Sequence, residues 1–141
     1  MASILITGAS DGLGQLSATL LADQGHQVVL HARNAERARY AKQNVPRAAH
    51  VIVGDLSNID ETKALADEAN RLGQFDAVIH NAGVYQAPPK EIFAVNVIAP
   101  YVLTCLIQKP KRLIYLSSSM HLQGRANPEN FPTEAKGVSY S

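Results

Sequence analysis

The sequence holds a single cysteine, Cys105, and one thiol cannot close a disulfide within the chain. A disulfide-stapled scaffold is excluded, and a reducing, cytoplasmic setting is the expectation. Cys105 stands among Leu103, Leu106 and Ile107, which predicts a buried thiol packing as a small hydrophobe. Charge of one sign is lacking as well: 13 Lys and Arg face 12 Asp and Glu, for a formal net charge of +1. That balance gives no electrostatic footprint for nucleic acid or an anionic membrane, and neither is expected as a partner. Long hydrophobic runs are missing too. The opening "MASILITGAS" has an apolar stretch, Ile4–Ile6, far too short for a signal-peptide core or a membrane span. No block of like charges and no internal repeat stands out. What remains is an ordinary globular composition, 46% hydrophobic and 18% charged, at a length that suits one domain over residues 1–141.

Short aliphatic runs recur along the chain with helical patterns between them. The runs Ser3–Thr7, Gln27–Ala32, Ala49–Val53, Ala77–His80 and Leu113–Leu116 predict strands. The first four are apolar throughout instead of alternating, as strands covered on both faces are. Between the first two, Leu13–Gln24 predicts a helix whose Leu13, Leu16, Leu20 and Leu21 form the buried face, stopped by Gly25. Ala35–Asn44 predicts a second helix capped by Asn34, ending before Pro46. "SNID", Ser57 to Asp60, reads as a capping box that opens a third helix running to Leu72. A fourth helix is expected over Phe93–Gln108, kinked or short of a hydrogen bond at Pro100. Strand and helix alternating to a fifth strand predict a doubly wound α/β fold around a parallel sheet. From Met120 to Gly137 the pattern dissolves into a long loop.

After the first strand comes "TGASDGLG", Thr7 to Gly14, leading straight into a helix. Glycines allow a tight turn and close backbone approach, and the helix N-terminus offers unpaired N–H groups, so this is the pattern of a phosphate site. The spacing is Gly-x-x-x-Gly-x-Gly. It resembles the cofactor loop of the short-chain dehydrogenase/reductase family, and four more stretches follow in that family's order. These are "GDLS" (Gly54–Ser57), "HNAG" (His80–Gly83), "FAVNV" (Phe93–Val97) and "YLSSSMH" (Tyr115–His121). The resemblance runs from residue 3 to residue 141 and implies a Rossmann-like sheet of strand order 3-2-1-4-5, without the family's last strands. It also implies reversible hydride transfer between a nicotinamide and a small carbonyl or alcohol substrate, in a homo-oligomer, with no metal. The alternative, from another class, is a nucleotide-binding regulatory or scaffold protein that kept the fold without the catalysis.

Carried over by motif, Gly8, Gly12 and Gly14 shape the pyrophosphate turn, with Ser10 and Leu13 beside it. Asp55 and Leu56 line the adenine pocket, and Asn81, Ala82 and Gly83 lie on the ribose side. His80 replaces the family's Asn and is expected to be a packed residue at a strand end. At the end of the second strand, "LHARN" has no carboxylate for a ribose diol but places Arg33 where a guanidinium would take a 2′-phosphate. NADP is the expected cofactor, with NAD the alternative; Asp11 in the glycine loop argues slightly against the phosphate. Of the three serines 117–119, the resemblance makes Ser118 catalytic, with Ser117 facing the other way by strand alternation. Asn96 matches the helix asparagine, at a shorter distance from Asn81 than the family shows. Tyr140 in "VSYS" matches the catalytic tyrosine, and the family's lysine, four residues after it, would fall past Ser141. The 141-residue chain alone is therefore expected to be inactive.

Overall fold

The computed structural model describes residues 1–124. Five strands, β1 (Ser3–Ile6), β2 (Gln27–Ala32), β3 (His50–Val53), β4 (Ala77–His80) and β5 (Arg112–Tyr115), form one sheet in the order β3-β2-β1-β4-β5. Every neighbouring pair is parallel, with Leu5 set against Val29 on one side and Val78 on the other. The order reverses between β1 and β4, so the strand ends open a crevice there, where nucleotide sites of doubly wound sheets lie.

Strand alternation sends side chains to two layers. Ile4, Ile6, Val28 and Leu30 meet α1 (Gly12–Asp23) and α2 (Ala35–Asn44) through Ala18, Ala22 and Ala41, with Val45 just after α2 in the same cluster. Leu5, Val29, Ile52 and Val78 meet α3 (Ile59–Arg71) and the helical run after β4, with Leu65, Phe75, Val95 and Leu103 in one cluster. Burying an aliphatic side chain contributes about 1.5–3 kcal/mol, so these two layers dominate the stabilising terms.

Helix α1 turns the other way from the expectation. Its buried residues are Gly14, Ala18 and Ala22, four apart, while Leu13, Leu16 and Leu20 are 69%, 57% and 54% exposed. The helix lies so close to the strands that only small residues fit beneath it. Helix α3 is capped one residue later than expected. Asn58 Oδ1 accepts from the N–H groups of Asp60 and Glu61 at 2.9 and 3.1 Å, and Ser57 bonds to Asp55 instead.

The helical run after β4 starts earlier than expected, as α4 (Pro89–Phe93), a π-helical turn (Ala94–Ile98) and α5 (Ala99–Leu106). Pro100 has no N–H for the carbonyl four residues before it. The wider ladder just upstream, in which Ala99 donates to the Ala94 carbonyl, accommodates that shortage. By length and composition alone Pro89–Leu106, of mean hydropathy 1.2, would suffice to cross a membrane. One side of it packs into the domain through Val95, Ala99 and Leu103. Cys105, expected in the core, is exposed. It lies about 200° around the helix from Leu103, on the opposite side.

Candidate nucleotide site

The glycine turn is held by contacts that begin on β4. Thr7 Oγ1 accepts from the backbone N–H groups of Asn81 and Ala82, both at 3.1 Å. The Asn81 side-chain amide donates to the carbonyls of Thr7 and Gly8 at 3.0 and 2.9 Å. Gly8 adopts φ +63°, and a Cβ there would stand 2.8 Å from Ala82 Cα. At Gly14 a Cβ would lie 2.3 Å from the Gly8 carbonyl oxygen and 2.4 Å from Asn81 Nδ2. Each position leaves no room for a side chain, which is what brings the α1 N-terminus onto the turn. Asp11 is the N-cap of α1 but makes no capping bond, and its carboxylate pairs with Arg37 at 3.1 Å. The first-turn N–H donors and the positive end of the helix dipole thus lie beside the crevice without a side-chain acceptor.

A cleft of about 440 Å³ opens over this turn. Gly8, Ser10, Gly12, Leu13, Arg33, Asp55, Leu56, Asn81, Ala82 and Gly83 all line it. Gly14 alone of the expected cofactor set does not; it is buried beneath the turn. Arg33 is exposed at the rim and makes no ion pair among the described residues. Asp55 accepts from the Ser57 hydroxyl at 2.7 Å and its N–H donates to Glu61 at 2.7 Å, so the loop after β3 is fixed at both sides.

The cleft also takes in residues that no motif pointed to. His31, 2% exposed on β2, accepts from Gly8 N–H through Nδ1 at 3.0 Å and lies 2.7 Å from the Gly54 carbonyl through Nε2. Burial holds its pKa below the usual histidine value. The one signal in the sequence is a polar residue inside the apolar run "VVLHA". Arg37 also lines the cleft, from the first turn of α2.

The expected catalytic residues are less closely gathered. Neither Asn96 nor Ser118 lines the cleft. Asn96 sits in the π-helical turn and uses both ends of its amide on Val84, accepting from its N–H at 2.8 Å and donating to its carbonyl at 2.7 Å. Ser118 follows β5 and caps a short 3-10 turn, Ser119–Gln123, accepting from Met120 N–H at 3.2 Å. Because β5 ends at Tyr115, strand alternation does not decide where Ser117 points. Tyr140 lies outside the described residues. His80 is a packed strand-end residue: it is 5% exposed, stacks on Tyr115 with ring centroids 4.8 Å apart, and burial lowers its pKa to about 4. Its Nε2 lies 3.4 Å from Thr104 Oγ1, which also meets Tyr115 OH at 2.6 Å.

A family model described as short chain dehydrogenase matches residues 2–111. The chain belongs to the short-chain dehydrogenase family. Among its relatives, an uncharacterized oxidoreductase of Emericella nidulans is 55% identical, over 92% of this chain and 55% of that protein. The short-chain dehydrogenase chyC of Penicillium rubens is 47% identical, over 90% of this chain and 52% of that one. This short-chain dehydrogenase chain thus spans about half the length of these fungal relatives. Among solved structures, one described as a short chain dehydrogenase from Escherichia coli, complexed with NADPH, superposes with a TM-score of 0.72. It is 30% identical, over 89% of this chain and 62% of the other. A metagenomic short-chain oxidoreductase in complex with NADP gives a TM-score of 0.68 at 29% identity, over 83% of this chain and 62% of its own.

Proposed function

We propose that this chain forms the nucleotide-binding part of an NADP(H)-dependent oxidoreductase that interconverts a carbonyl and an alcohol on a small molecule, in the cytoplasm. The observation that carries the reading is the glycine cradle, where Cβ atoms at Gly8 and Gly14 would collide with Ala82, the Gly8 carbonyl and Asn81. Backbone kept bare on that scale, beside a helix N-terminus, suits a pyrophosphate. Arg33 at the rim would take the 2′-phosphate as a bidentate partner, and the solved relatives holding NADP or NADPH support that choice. Asp55 and Leu56 would flank the adenine, and Asn81 to Gly83 the ribose.

When bound, the nicotinamide would supply or accept the hydride. Ser118 would orient the substrate oxygen and Tyr140 would give or take the proton. Asn96 would act by fixing the loop at Val84. A tyrosine needs strong stabilisation of its phenolate to exchange protons near neutral pH. The engagement of Asn96 Oδ1 and Nδ2 with the Val84 backbone favours, as a second reading, a non-catalytic nucleotide-binding protein in which this residue only fixes the loop.

Calorimetric titration of NADPH and NADH into wild type and Arg33→Asp tests the proposal. Loss of a charge-assisted contact should weaken NADPH binding by about ten- to a hundredfold while sparing NADH. An unchanged ratio of the two affinities would overturn the cofactor assignment. Reduction of a carbonyl panel by a form extended to the relatives' length separates the enzyme from the scaffold.

A further inference from the structure

His31 occupies a place that none of the nucleotide-site motifs assigns. It is buried near the end of β2, between the glycine turn and the loop after β3. A carbonyl can only accept, so the 2.7 Å contact with Gly54 puts the ring proton on Nε2. Nδ1 is then a bare acceptor, and Gly8 N–H donates to it at 3.0 Å. The main-chain carbonyl of the same residue accepts from Ala9 N–H at 3.1 Å. One residue therefore holds two successive N–H groups of the phosphate turn, and its ring ties that turn to the first residue of the adenine loop.

We propose that His31 is a positioning residue for the nucleotide, fixing the phosphate turn against the adenine loop only while its imidazole is neutral. This rests on the nucleotide-binding reading above. A protonated ring carries N–H on both nitrogens. Nδ1–H would then face Gly8 N–H, two donors with no acceptor between them. Gly8 also packs closely on Ala82, whose Cα would stand 2.8 Å from a Cβ at Gly8. Losing the pin would shift the turn that the α1 N-terminus and the pyrophosphate share.

The charged groups around the ring are few. Burial opposes the cation most strongly; the bond to the Gly54 carbonyl and then Asp55, from the loop after β3, favour it, and the net pKa is lowered. On the side of the glycine turn and α2, Asp11 and Arg37 are paired with each other, and Arg33 follows on β2 itself. The neutral, Nε2-protonated ring is thus the form present at neutral pH. Nucleotide affinity should fall as acid protonates it, and by linkage bound nucleotide should make His31 harder to protonate.

Three measurements on the 141-residue chain test this. Nitrogen NMR of the imidazoles should show His31 as the Nε2–H tautomer at neutral pH, titrating below the ordinary histidine value. Protection of the Gly8 amide from hydrogen exchange, relative to its intrinsic rate at each pH, should fall as His31 is protonated. The affinity for NADPH and for 2′,5′-ADP should drop about tenfold through the same titration. His31→Asn keeps an acceptor near Nδ1 that does not titrate, and should bind within about threefold of wild type at neutral pH with the His31-linked acid loss removed. His31→Phe fills the space without an acceptor and should bind about tenfold more weakly at neutral pH. Wild-type affinity in His31→Phe, or a Gly8 amide and an affinity indifferent to His31 titration, would overturn the role. If His31→Phe fails to fold, the Asn variant and the Gly8 exchange rate still decide. Absence of nucleotide binding at every pH would overturn the functional reading and this role together, whereas binding that ignores the state of His31 overturns this role alone.

Discussion

Asp11 and Arg37 meet at the mouth of the cleft, carboxylate to guanidinium, at 3.1 Å. The pair holds an arginine beside the proposed phosphate site in a contact with the wrong partner, and it also sets a negative charge there. Asp11→Ser should release Arg37 and tighten NADPH binding relative to NADH. Exposed pairs of this kind contribute about 0.2–1 kcal/mol, so the gain should be about 1.5- to fivefold. Paired titrations with the two cofactors check it, and a tighter NADH with unchanged NADPH would contradict it.

Gly14 offers a sharper test of the cradle. An alanine Cβ at this site would press on the Gly8 carbonyl and on the Asn81 amide, groups that cannot retreat without losing their own bonds. Gly14→Ala should cost about 2–3 kcal/mol of stability by overpacking and should abolish nucleotide binding. Urea unfolding followed by far-ultraviolet circular dichroism measures the first effect. Gly25 is a useful control, since it closes α1 at φ +85° with nothing near its missing Cβ. Gly25→Ala should lower stability by about 1 kcal/mol and leave binding alone.

His80 should make the fold sensitive to acid. Its folded pKa, about 4, lies below its unfolded value of 6.5, so the unfolded chain binds more protons between those two limits. Stability from this residue is complete above 6.5 and is lost as pH falls toward 4. The full loss is at most about 3.4 kcal/mol, and solvent screening brings it to about 2–3 kcal/mol. His80→Asn should flatten that part of the stability curve, measured as the difference between the two proteins' urea midpoints from neutral to acid pH. Parallel curves would contradict it.

Self-association is the last expectation. Val97, Tyr101 and Leu106 stand 42%, 70% and 45% exposed on the outer side of the helical run after β4, and β5, whose four residues are all exposed, ends the sheet among the described residues. We expect a concentration-dependent dimer in sedimentation equilibrium, weakened by Tyr101→Glu, which sets a charge in the middle of the patch. A monomer at high concentration would count against it.

The sheet was legible because apolar runs such as "VVL" and "AVIH" admit one reading once helical patterns separate them. The loops that line the cleft were legible from their glycines and their order. Errors came where size, not polarity, decides. The leucines of α1 carried the stronger hydrophobic signal, yet Gly14, Ala18 and Ala22 face the sheet, because close approach of helix to strand admits only small side chains. Cys105 was misplaced because the chain near it is apolar on both sides of α5, so composition gave no hint of which side is covered. At Asn58 two good capping residues stand side by side, and the choice follows from Ser57 being taken by Asp55. His31 escaped notice because its partners are backbone atoms of Gly8 and Gly54, 23 residues away in either direction.

The hydroxyl of Thr7 has a consequence for the order of events during synthesis. It takes its two N–H donors from Asn81 and Ala82, 74 and 75 residues further along the chain. A nascent chain that has only β1, α1 and β2 contains every glycine of the phosphate turn but none of the groups that hold the turn's first residue. Closing so long a loop comes late, after the local helices have formed. Nucleotide should therefore find no finished cradle on the ribosome until β4 has emerged and docked beside β1, and a bound cofactor acts as a seal on a completed sheet, not as a template for building one.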